Sequence, residues 1–69
     1  MKTYAVIIEP TSTGFSAYVP DLPGCIAVGH TINETRECMK TSMQLHIEML
    51  RELGEPIPEP TSQVLELSA

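Results

Sequence analysis

The sequence predicts an α+β domain of two layers, in the order β-β-β-α-β, with one helix packed on an antiparallel-rich sheet. Three observations carry this expectation. Short runs of β-branched, aromatic and alternating apolar residues before His30 are separated by turn clusters. A helical period is sustained from Thr31 to Gly54, and a last short apolar run follows a proline-rich connector.

Thr3 to Glu9 is the first expected strand, with Tyr4, Val6 and Ile8 on one face and Ala5 and Ile7 on the other, so both faces are apolar. Pro10, Thr11, Ser12, Thr13 and Gly14 form a turn cluster. Phe15 to Val19 then alternates Phe15, Ala17 and Val19 against Ser16 and Tyr18, which makes the pair a hairpin with a loop of common length. In Pro20-Asp21-Leu22-Pro23-Gly24 two prolines fix φ, and Gly24 supplies the positive φ of a Pro-Gly turn. Cys25 to Gly29 is a third strand, with Ile26 and Val28 facing one way and Cys25 and Ala27 the other.

Thr31-Ile32-Asn33-Glu34 has the spacing of a capping box: the Thr31 hydroxyl accepts the Glu34 N–H, and the Glu34 carboxylate returns to the Thr31 amide. At 100° per residue, one broad arc holds Thr35, Cys38, Met39, Ser42, Met43, Leu45, His46, Met49, Leu50 and Leu53. Glu37, Lys40, Gln44, Glu48 and Arg51 lie opposite, and Ile47 falls on that polar side. Gly54 stops the helix as a left-handed residue. Glu55 to Pro60 alternates proline with other residues and is an extended connector. Gln63 to Leu67 is the expected final strand, with Leu65 and Leu67 on a shared face.

Sixty-nine residues hold one small domain, taken as residues 1–69. A chain of this size buries only about 60% of its unfolded surface, and a single helix covers one face of the sheet. Association through the other face or an edge strand is the expected remedy, giving a homodimer or higher homo-oligomer. Four Lys and Arg stand against nine Asp and Glu, a net charge of −5, so clustered cations for direct nucleic-acid binding are missing. The longest apolar run, Tyr4 to Ile8, is far short of a membrane span. No charged-then-apolar leader precedes Thr3 and the two cysteines make no disulfide framework, so the expected compartment is the cytoplasm.

The side chains that carry chemistry do not assemble into a reactive pattern. Cys25, His30, Cys38 and His46 are spaced C-x4-H and C-x7-H, unlike the close pairs of zinc sites, so no metal and no cofactor is expected. Ser16 lacks a strand-turn-helix elbow, and Gly14, Gly24, Gly29 and Gly54 are too scattered to cradle a phosphate. Glu9 is the only acid of the first strand and the second has none, so the converging carboxylates of a two-metal nuclease are missing. The expectation is a protein that is not an enzyme.

Gly14-Phe15-Ser16-Ala17-Tyr18-Val19-Pro20-Asp21-Leu22-Pro23-Gly24-Cys25, followed by Gly29-His30-Thr31, Glu34, Gly54 and Ile57-Pro58-x-Pro60, resembles the HicB family of type II toxin–antitoxin antitoxins across essentially the whole chain. The resemblance implies a partial ribonuclease H-like β-β-β-α-β domain without catalytic carboxylates. It also implies inhibition by binding a HicA-like toxin, a small basic messenger-RNA interferase. Many members carry a C-terminal DNA-binding domain; here the sequence ends at Ala69, directly after the last expected strand, so no such domain and no operator binding is expected. Within the match, Gly14, Phe15, Gly29 and Pro58 belong to the scaffold, Pro20 to Cys25 shape a loop, Thr31 and Glu34 cap the helix, and Gly54 ends it. Tyr18, Asp21, Glu34, Glu55 and Glu59 are the expected toxin contacts, an aromatic anchor among acids that suit a basic partner. The alternative is an orphan HicB-like module that self-associates and acts without a toxin.

Overall fold

In the computed structural model, which describes residues 2–69, three strands precede one helix: β1 (Ile7–Pro10), β2 (Phe15–Tyr18), β3 (Ile26–Gly29) and α1 (Ile32–Glu52). The sheet is antiparallel in the order β1-β2-β3, so the expected α+β class and its first four elements are present. A bond from the Thr11 N–H to the Gly14 carbonyl (2.8 Å) closes the first hairpin.

The register fixes the two faces. Ile8, Ala17 and Ala27 stand in one row and Ile7, Tyr18 and Ile26 in the next. Ala17, Val19, Cys25 and Ala27 are buried under α1 together with Tyr4 and Met39, so the helix side takes the Tyr4, Val6, Ile8 face of the first segment. The residues beneath the helix are small. That smallness lets α1 approach closely: a Cβ on Gly29 would fall only 2.6 Å from the Thr35 hydroxyl oxygen.

Leu22 is the most deeply buried large side chain, at 0% exposure. It hangs from the loop between β2 and β3, which is tied by the Leu22 N–H to the Val19 carbonyl and the Cys25 N–H to the Leu22 carbonyl (both 3.1 Å). Gly24 has the expected positive φ, 86°. Gly14 does not; its requirement is space, because a Cβ there would strike the Gly29 carbonyl oxygen.

The start of α1 realises half of the expected capping box. The Thr31 hydroxyl accepts the Glu34 N–H (3.0 Å), but the Glu34 carboxylate lies 3.4 Å from His30 Nδ1 instead of returning to the Thr31 amide. At the other end the Gly54 N–H meets the Arg51 carbonyl and the Glu55 N–H the Leu50 carbonyl, a Schellman closure with Gly54 at φ 70°.

Two expectations are corrected. The apolar arc of α1 is rotated: Ile47, assigned to the polar side, packs against the core with Met39 and Met43, whereas Cys38, Leu45, Met49 and Leu53 are exposed. A three-stranded sheet is narrower than the arc and covers only the 35-39-43-47-50 stripe. The final strand, Gln63 to Leu67, is not formed; these residues are exposed and pair with no strand. The connector is held first, by Tyr4 Oη donating to the Pro58 carbonyl (2.6 Å) and by Lys2 Nζ to Glu59 (2.6 Å). Thr61 and Ser62 then bind Asp21, which carries the chain across the sheet end to the loop beyond β2 instead of back along β1. A strand without a ladder partner has no independent stability. The order within one chain is therefore β-β-β-α.

Candidate functional site

The face of the sheet turned away from α1 has no covering element among the described residues. Ile7, Tyr18 and Ile26 form a cross-strand row on it, flanked by Glu9, Ser16 and Val28. Tyr18, on the central strand, is 43% exposed, and Ile26 and Val28 on β3 are 65% and 67% exposed. Alternation explains the arrangement: with Cys25 and Ala27 turned inward, Ile26 and Val28 must point out. The apolar surface continues around the β3 edge, where Ile26 shares a shallow depression of about 240 Å³ with Leu45 and Met49. A contiguous apolar patch centred on a half-exposed tyrosine is the composition of a protein-binding surface. Glu9 is the only charge in the paired rows.

The structure separates the five expected contact residues. Tyr18 lies at the centre of the open face. Asp21 sits in the loop beyond β2 and is occupied: Oδ2 accepts the Ser62 N–H (2.9 Å), and Oδ1 accepts the Ser62 and Thr61 hydroxyls (3.0 and 3.2 Å). The Ser62 backbone N–H is the main cause that holds the Asp21 carboxyl below its ordinary value. Glu59 pairs with Lys2 near the start of the first segment. Glu55 is exposed just past the helix end. Glu34 sits at the opposite end of the sheet, beside His30, Thr11 and Thr13. The residues missed by sequence reasoning are Ile7, Ile26, Val28 and Glu9. Their signal was present in the alternation of the strands, which left undecided which face meets the helix.

Among the described residues no three His, Cys, Asp or Glu side chains gather as a metal-ligand set. Cys25 and Cys38 are both free thiols. Cys25 is buried, with Sγ 3.9 Å from Met39 Sδ, and burial pushes its thiol up. Among the described residues no helix is long and apolar enough to cross a membrane.

Comparison with known proteins gives this surface a context. A family model described as the HicB-like antitoxin of bacterial toxin–antitoxin systems matches residues 4–69. A 14.9 kDa protein of Haemophilus phage HP1, itself uncharacterised, is 36% identical over 81% of this chain; the chain spans only 42% of that relative's length. A UPF0150 protein of Synechocystis sp. is 29% identical over 93% of this chain and 89% of its own. Among solved structures, a chain of a HicA3 and HicB3 toxin–antitoxin complex superposes with a TM-score of 0.75 at 33% identity, over 87% of this chain and 70% of that one.

Proposed function

The chain belongs to the HicB-like antitoxin family, and we propose that it neutralises a HicA-like toxin, a small basic messenger-RNA interferase, by binding it on the open face of the sheet. The observation that carries this reading is the uncovered Ile7–Tyr18–Ile26 row in a chain whose solved relative comes from a HicA3 and HicB3 complex. Tyr18 is the anchor: its ring adds a large contact area for little conformational entropy, and its hydroxyl supplies a polar handle. Ile26 and Val28 widen the contact and Glu9 sits at its rim.

The acids act mainly at long range. Asp21, Glu34 and Glu59 are already paired inside the chain, so with Glu55 they contribute to the −5 field that draws in a basic partner. The role is inhibition by occlusion, without catalysis, and the two free thiols suit a reducing cytoplasm.

Co-expression with a HicA-like toxin tests the proposal. The wild-type chain restores growth, whereas Tyr18→Ala combined with Ile26→Asp does not, at equal level and with unchanged circular dichroism. A wild-type chain that leaves the toxin fully active removes the antitoxin reading. A second reading, a self-associating module that acts without a toxin, is favoured by the unpaired tail, and the same assay separates the two.

A further inference from the structure

The chain holds two unmatched halves of one strand pairing. β1 is an edge strand, bonded to β2 on one side only. α1 lies over β3 and β2, which leaves a groove of about 180 Å³ beside β1 with Val6, Ile8, Ile32, Met39 and Met43 on its apolar walls. Arg36 and Lys40, two of the chain's four Lys and Arg residues, stand at its mouth. The other half is the tail, in which Val64, Leu65 and Leu67 are 58%, 80% and 83% exposed.

We propose that the tail strand of one copy, Gln63 to Leu67, pairs with the β1 edge of a second copy and seats Leu65 and Leu67 in its groove, in a reciprocal exchange that closes a two-fold dimer. The path of the chain selects a second copy over the tail's own sheet. Residues 58 and 59 are held near the start of the first segment by Tyr4 and Lys2, and by residue 62 the chain has crossed to Asp21 in the loop beyond β2. Three bonds to Asp21 hold residues 61 and 62 there, so the tail sets out from the loop beyond β2 and not from the free edge of its own β1. Seven residues follow Ser62, a reach of about 23 Å when extended, enough to line an edge of four to five residues.

The groove fits the strand. A dry cavity of about 150 Å³ accepts benzene, so 180 Å³ takes one leucine side chain fully, and the second lies along the groove's open side. Strand alternation puts Leu65 and Leu67 on the groove side together. A stable dimer needs about 1,200 Å² of buried surface, so both exchanges together, and not one alone, are required. Arg36 and Lys40 reduce the repulsion between two copies of net charge −5 where the strand carrying Glu66 arrives. The exchange also leaves the open sheet face free, so it stands whether or not a toxin binds there.

Light scattering on the full chain tests this. The wild-type mass is twice 7.6 kDa at micromolar concentration. Leu65→Asp with Leu67→Asp halves it and keeps the circular dichroism, since both side chains are exposed. Ile8→Asp, at the groove, halves it as well. Mixing the tail variant with the groove variant allows one of the two exchanges, so the mixture associates more than either variant alone and less than the wild type. A monomeric wild type, a tail or groove variant that stays dimeric, or a mass that climbs past two copies would each overturn the exchange.

Discussion

Replacing Gly29 with alanine sets two effects of opposite sign against each other. Gly29 ends β3 without a positive φ, so alanine can adopt its backbone unstrained. Propensity alone then favours alanine by roughly 0.5–1 kcal/mol, because glycine inside a strand loses more freedom on folding. Packing argues the reverse. A Cβ at this position lies 2.6 Å from Thr35 Oγ1, 2.8 Å from Thr35 N and 3.1 Å from Thr35 Cα. Two of these atoms are backbone, and the hydroxyl has little freedom to move: Thr35 is fully buried, and its N–H and hydroxyl both bind the Thr31 carbonyl, at 3.0 and 2.8 Å. Normal contact requires the first turn of α1 to lift away from the strand, an overpacking cost of about 1–3 kcal/mol. With two contacts under 3.0 Å, one of them backbone, the cost sits in the upper part of that range, and the net is a loss of about 1–2 kcal/mol, out of a total stability of about 3–10 kcal/mol for 69 residues. At about 4–8 °C per kcal/mol, Tm falls by about 4–16 °C in thermal circular dichroism at fixed protein concentration. An unchanged or raised Tm would refute the close approach of helix to strand.

Leu22→Ala removes the most deeply buried large side chain, and the usual cost of about 2–5 kcal/mol takes up much of the stability; urea titration should show a largely unfolded population at low denaturant. The Asp21 latch should depend on acid. Its folded-state pKa lies below the ordinary 3.8, so the stabilisation is complete above that value and is lost as the pH falls through the lower, folded one. Hydrogen exchange at the Ser62 amide should therefore accelerate only below about pH 3.8, and Asp21→Asn should abolish that step. Iodoacetamide at neutral pH should label exposed Cys38 and spare Cys25, whose thiol is buried and raised; equal labelling of both would contradict the core placement of Cys25.

Local chemistry was legible wherever it is decided within a few residues. The Thr31 cap, the Gly54 stop, the Gly24 turn and the alternation of β2 all depend on neighbours close in sequence, and each stands where the residues place it. What sequence reasoning missed depends on contacts far along the chain. The centre of the helical stripe could not be fixed, because ten residues on one arc exceed what a three-stranded sheet covers; the tightest i, i+4 series, Thr35-Met39-Met43-Ile47, marks it. The final strand failed because pairing is a property of two segments, and Asp21, Thr61 and Ser62 steer the tail past its own edge. Long-range pairing likewise removed Asp21 and Glu59 as free acids, since composition counts charges without showing their partners; Glu34 meets His30 only one turn away.

β3 shows most directly what the open face costs the isolated chain. A one-residue slip in its pairing would turn Ile26 and Val28 inward and put Cys25 and Ala27 outside. Burying two branched side chains in place of two small ones would add a few kcal/mol of hydrophobic stabilisation, at about 1.5–3 kcal/mol for each large side chain. The chain forgoes that gain. Its register instead keeps Ala27 and Gly29 under α1, which allows the 2.6 Å approach at Thr35, and leaves two aliphatic side chains about two-thirds exposed beside Tyr18. In a domain of marginal size such an arrangement lowers the stability of the isolated chain, and burial against the proposed partner would recover it. The apolar row and the close helix packing are thus two results of one register, and a mutation that lifts α1 from β3, such as Gly29→Ala, should lower stability and with it the population of chain that presents the row.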